Sequence, residues 1–201
     1  MDSAMLERLA IREVVENWAM WRDTGQFDKL RTTFHPEGVF RATWFNGLFS
    51  EFIIASTAGW KRGSRSMHVL GGSSIEQEGH RAFAHTKMEI VVRALLDGVE
   101  VDANCYGRFF DFFEKRDGRW AIVRRVCIYD KSCMSPARPG TPIVFDEALL
   151  MSFPEGYRYL AYVQAKNGQT VDPALLTTRD PGVDALYADA DAWVAAGVAN
   201  A

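Results

Sequence analysis

With 201 residues, 48% of them hydrophobic and 24% charged, the chain has enough sequence for one domain with a substantial core. A formal net charge of −3 offers no basic surface, so neither nucleic acid nor an anionic membrane is expected as a partner. Six tryptophans and thirteen phenylalanines favour a large apolar interior or an apolar pocket over a phosphate-handling groove.

The opening MDSAMLERLAIREVVE has no basic segment leading an apolar one, so no secretory signal is expected. From Ser3 to Trp21 apolar residues such as Ile11, Val15 and Trp18 recur at helical spacing, with Ser3 as a cap. The pattern stops at Asp23-Thr24-Gly25, which are turn residues. A second helix is expected over 27–34, ended by Pro36, with His35 closing it and satisfying its last carbonyls. GVFRATWF, which contains Trp44, has strand composition, and GLFSEFIIASTAGWKRG returns to helical spacing through Leu48, Phe52, Ile53 and Trp60.

After Gly63 come four segments rich in β-branched and aromatic residues: RSMHVLGGSSIEQE, HRAFAHTKMEIVVRALL, VEVDANCYGRFFDFFEKR and RWAIVRRVCIYDKS. EGH, LLDGV and KRDGR separate them, and Asp-Gly is a strong hairpin signal. Helices followed by a meander of long strands predict an α+β domain, a curved antiparallel sheet with the N-terminal helices over its concave face. This domain is expected over 1–135; the Pro-rich and then apolar stretch 136–201 is expected to pack on it or on a neighbouring subunit.

Strand parity suggests which residues face the concavity. Trp120, Ile122, Arg124, Val126 and Ile128 share what reads as the core face, which puts a guanidinium in its middle, costly unless it is paired or serves a ligand. Ala84, Thr86, Met88, Ile90 and Val92 form another apolar face and turn His85, Lys87 and Glu89 outward. Parity alone does not choose between Tyr106 with Arg108 and the alternating Phe109, Asp111 and Phe113. His80 sits in a turn, as a solvated residue would. His68 opens a strand beside small and apolar residues, and Asp23 taken alone reads as a turn residue or cap. There is no HExxH, HxH, Gly-rich phosphate loop or G-x-S-x-G elbow, so no metal and no cofactor are expected. Cys105, Cys127 and Cys133 are odd in number without CxxC spacing, which excludes a disulfide framework and fits a reduced, cytoplasmic chain.

LAIREVVENWAMWRDTGQFDKLRTTFHPEGVF, then SMHVLGG, then YGRFFDFFEKRDGRWAIVRRV, together resemble the SnoaL-like branch of the nuclear transport factor 2-like superfamily over about residues 4 to 135. The resemblance implies a cone-shaped, cystatin-like α+β barrel. It also implies a dyad of Asp23 and His68, with a leaving-group arginine falling on Arg124. The chain departs from the pattern of the branch's dehydratases in having Arg22, not tyrosine, before Asp23, and in having no second inward histidine.

The function so implied is cofactor-independent elimination from an apolar, aromatic small molecule, with loss of water, halide or formaldehyde. In it His68 abstracts a proton, Asp23 orients His68, and Arg124 stabilises developing charge. Tyr106 and Arg108 act as further donors, and Trp18, Trp21, Trp44, Met88 and Ile90 line the substrate site. The alternatives are an isomerase or cyclase using the same base, and a binding or assembly module whose cone is filled by Trp18, Trp21 and Trp60. Phe109, Phe113 and Tyr129 would form an exposed apolar patch on the outer face of the sheet in a monomer. A homo-oligomer is therefore expected, a trimer by the same resemblance, with a dimer as the alternative.

Overall fold

The computed structural model describes residues 3–198. The first helix, α1 (Ser3–Asp23), is followed by the single turn α2 (Phe27–Leu30) and a 3₁₀ turn, Arg31–Thr33. Strands β1 (Phe34–Ala42) and β2 (Phe45–Leu48) lead into α3 (Phe49–Lys61). Four long strands then run in succession: β3 (Met67–Glu78), β4 (Arg81–Leu96), β5 (Val99–Arg116) and β6 (Arg119–Pro136). The remaining segment carries α4 (Glu147–Met151), α5 (Arg158–Lys166) and α6 (Gly182–Ala195). No helix among the described residues is long and apolar enough to cross a membrane.

The fold is α+β, built on one curved six-stranded sheet in the order β2-β1-β6-β5-β4-β3. The hairpins at Asp97-Gly98 and Asp117-Gly118 have both turn residues at positive φ (48° and 88°, 51° and 77°), the geometry that matches strand twist. The sheet is not antiparallel throughout as expected: β1 runs parallel to β6. The second helix is also shorter than its pattern predicts. β1 already begins at Phe34, because the residue before proline is held extended. His35 therefore caps no helix; it is buried in β1 with Nε2 2.9 Å from the Glu114 carbonyl oxygen.

Ile11, Val15 and Trp18 of α1 and Phe49, Phe52 and Ile53 of α3 cover the concave face, where they meet the inward-facing residues of the sheet. Two irregularities of β6 set its parity. Phe112 pairs with Arg124 but Phe113 pairs with Ile122, leaving Val123 as an extra residue. Such a bulge exchanges the faces of everything beyond it. Trp120 and Ile122 point inward as expected, but after the bulge the inward residues are Arg125, Cys127 and Tyr129. Arg124 is thus on the convex face, where it stacks on Phe112 at 3.7 Å and pairs with Asp189 of α6. A second shift, between Tyr106 and Gly107, makes room for Tyr129. A Cβ on Gly107 would lie 2.2 Å from the Ile128 carbonyl oxygen and 3.1 Å from Tyr129 Cα.

β5 has Phe109, Asp111 and Phe113 inward, which settles the parity left open by its sequence. Tyr106 and Arg108 consequently face away from the concavity. Tyr106 lies under the Lys131 ammonium, and Arg108 bonds Asp130, Thr178 and Tyr187. The outer phenylalanines are Phe110 and Phe112, and α6 buries them, with Phe83 and Ile128, under Val183, Leu186 and Ala190. The exposed patch of Phe109, Phe113 and Tyr129 does not exist, and the argument for a trimer or dimer built on it loses its basis.

Candidate active site

Asp23 is the last helical residue of α1. The helix ends in a Schellman turn: Gln26 N–H donates to the Trp21 carbonyl and Gly25 is left-handed at φ 72°. A carboxylate there opposes the helix dipole, at a cost of about 0.3–1 kcal/mol. Its compensation is His68, delivered by the first residues of β3. The His68 main-chain N–H donates to Asp23 Oδ2 at 2.5 Å, and Nδ1 lies 2.6 Å from Oδ1. Both carboxylate oxygens thereby bond one residue, Oδ2 its main chain and Oδ1 its ring, and the second bond orients the imidazole. The side chains are 8% and 16% exposed.

An ionised carboxylate on Nδ1 holds the proton there and leaves Nε2 as the basic nitrogen. Trp18 meets the imidazole edge-on at 5.1 Å and Phe109 lies 6.1 Å away. Behind these rings is the buried Arg125, 4.2 Å from the Trp18 ring and 4.0 Å from Phe109. Its guanidinium grips Asp111 bidentately, at 2.5 and 2.7 Å, and both side chains are 0% exposed.

Burial pushes the His68 pKa below the ordinary 6.5; the bond to Asp23 opposes this, and Arg22 and Arg125 add to it. His68 is consequently a free base at neutral pH. In an NMR titration its imidazole should protonate below 6.5, and Asp23→Asn should lower the midpoint further by removing the partner of the imidazolium. The sign for stability follows, because the unfolded chain takes up this proton first as pH falls. The His68 contribution is complete above about 6.5 and declines as pH drops toward the folded value.

The dyad opens on a cavity of about 1010 Å³ between the helices and the sheet. Trp18, Trp44, Ile90 and His68 line it. Met88 is buried in the core and Trp21 packs against the core at its edge, so neither reaches the cavity surface. Trp60 packs on Phe27 and against Gly25, so it does not fill the cone. His85 is on the outer face, against Phe110 and Tyr187. Residues beyond 135 complete the wall, since α5 contributes Leu160, Val163 and Gln164.

The sequence pattern missed Arg22, Ser56, Tyr129 and Gln164, all of which line the cavity. Trp18 Nε1, Ser56 Oγ, the Tyr129 hydroxyl and Gln164 Oε1 are buried and have no hydrogen-bond partner among the described residues. The Tyr129 hydroxyl lies beside Cys127 and the Thr43 main chain without bonding geometry to either, and burial raises its pKa well above the ordinary 10. It is a donor rather than a base. The Cys127 thiol is pushed up to about 12 by burial and is no nucleophile at neutral pH. Among the described residues no three His, Cys, Asp or Glu side chains converge as metal ligands would.

A family model for the SnoaL-like domain matches residues 3–126. A PEP2-like protein of Fusarium vanettenii is 39% identical over 166 residues, which cover 81% of this chain and 71% of that protein. Among solved structures, a putative scytalone dehydratase from Novosphingobium aromaticivorans superposes with a TM-score of 0.57 at 18% identity, covering 71% of this chain and 96% of the other. A hexachlorocyclohexane dehydrochlorinase superposes with a TM-score of 0.54 at 13% identity over 71% and 96% of the two chains. At these identities the two structures share the fold with this chain.

Proposed function

The chain belongs to the SnoaL-like domain family, and we propose that it is a cofactor-independent lyase acting on an apolar, aromatic small molecule. The observation that carries this reading is the 2.6 Å bond between Asp23 and His68 at the wall of a cavity large enough for a multi-ring compound. A dehydratase and a dehydrochlorinase with the same fold are consistent with it.

In this reading His68 Nε2 removes a proton from the carbon next to an activating carbonyl. The released pair forms the new C=C bond, and the substituent on the adjacent carbon leaves with its own bonding pair. A departing hydroxyl takes the proton back from the imidazolium; a halide needs none. Asp23 holds the proton on Nδ1 throughout and stabilises the imidazolium. Arg124 has no part, being on the other face of the sheet, and neither have Tyr106 and Arg108. Tyr129, Ser56 and the Trp18 indole N–H take over the donor role toward substrate oxygen.

The test offers chelator-treated protein a panel of aryl β-hydroxy ketones and their β-chloro counterparts. Conjugated enone is followed by absorbance and chloride by ion chromatography. Enone release proportional to protein concentration is the expected result. Solvent deuterium entering recovered ketone without loss of a fragment would replace elimination by isomerase or cyclase chemistry. Binding without exchange or release across the panel would replace it by a binding module.

A further inference from the structure

The charge of the cavity is at odds with that of the chain. The protein has 26 acidic against 23 basic residues, yet the cavity lining contains Arg22, Arg62, Arg65 and Arg93 and no aspartate or glutamate. Three of the four have visible occupations or lie in water. Arg93 is held bidentately by Asp102. Arg65 stacks on Trp60 at 3.6 Å and donates to two main-chain carbonyls, while Arg62 is exposed at the mouth.

Arg22 differs from these. It is partly buried, one residue from the dyad, and among the described residues it makes no ion pair and no hydrogen bond. Its neighbour Asp23 directs its hydrogen bonds to His68 and acts on Arg22 only through its charge. Its one ring contact is Phe52, at 5.8 Å. Burial lowers its pKa from the ordinary value, and the neighbouring Asp23 carboxylate only partly opposes this. Its guanidinium nitrogens are not among the buried atoms without a partner, so they stay open to the cavity, where an anion can reach them.

We propose that the ligand of this cavity is an aromatic carboxylate, whose carboxyl group docks on Arg22 while Arg62 and Arg65 draw it to the mouth. This rests on the reading of the cavity as a small-molecule site and adds the charge of the molecule. The planar guanidinium fork matches a carboxylate with two parallel N–H···O bonds. The docked group would hold the ligand within reach of His68, since Arg22 and His68 line the same cavity. Positive potential at a low-dielectric opening would speed capture and make it salt-sensitive.

The experiment is calorimetric titration of the whole protein with 2-naphthoate and with its neutral isostere 2-naphthamide. Naphthoate should bind at least about tenfold more tightly, a charge-assisted hydrogen bond being the difference, and the preference should shrink with added salt. Arg22→Gln should abolish the preference and leave naphthamide binding in place, which also shows the variant folded; Arg22→Lys should keep part of it. Equal affinity for the two probes, or a preference that survives in Arg22→Gln, overturns the carboxylate assignment and leaves the cavity reading intact. Binding of neither probe to the wild-type protein overturns both.

Discussion

Arg125→Met with Asp111 left in place is expected to lower the unfolding free energy by about 3–5 kcal/mol, because it strands a carboxylate in the core. The two side chains are entirely buried, their bidentate bond is the sole ion pair of each among the described residues, and neither can turn to water. The guanidinium also fills the space between Trp18 and Phe109, so the substitution needs the long, adaptable methionine to avoid adding a cavity to the charge defect. For a domain of this size the change corresponds to a fall of roughly 10 °C in melting temperature. The double variant Arg125→Met, Asp111→Leu should recover most of the loss, since it removes both charges together. Urea unfolding of the three proteins checks this, and a double variant no more stable than Arg125→Met would show that the pair is not the source of the loss.

That pair also marks where strand periodicity misleads. The four long strands and their Asp-Gly turns were legible, because each hairpin is a local matter of two residues at positive φ between alternating segments. An alternation rule counts residues and has no knowledge of an extra one. One bulge at Val123 was enough to send Arg124 to the convex face and bring Arg125 to the core. Had the count been restarted there, Arg125 would have faced Asp111 on the adjacent strand, and a buried arginine opposite a buried aspartate would have been its own explanation. Of the exposed patch expected from Phe109, Phe113 and Tyr129, Tyr129 was turned inward by the same inversion, and the two phenylalanines lie on the inner side of a strand whose parity was open. A helix from the far end of the chain covers the true outer face.

The juxtaposition of Asp23 and His68 had a different origin. They are 45 residues apart, and only the curl of the sheet under α1 brings them within a hydrogen bond. No local pattern carries that information; it came from likeness to a family. What the local pattern did offer was a broken rule, an acidic residue at the negative end of a helix. Arg22 beside it follows that rule, a cation in the last turn of the helix, so nothing local marked it as a residue of the cavity.

On whichever substrate of the ketone panel is turned over, Asp23→Asn is expected to lower kcat by about 10²–10⁴, as is His68→Ala. Asparagine keeps the size of aspartate and can still accept the His68 main-chain N–H. It cannot hold the proton on Nδ1 by charge, so the imidazole is free to present a protonated Nε2 to the substrate, where it is no base. Stability should move far less than rate, within about 1 kcal/mol, because the lost charge-assisted bond is partly offset by removing a negative charge from the end of the α1 dipole. A purely structural Asp23 would give the opposite pattern, with stability falling and kcat retained by the fraction still folded. The two losses should also fail to add: a base and its orienter act as one device, so the double variant should be no slower than His68→Ala alone. Full activity in His68→Ala, with circular dichroism unchanged, would end the dyad mechanism and leave the cavity to another chemistry.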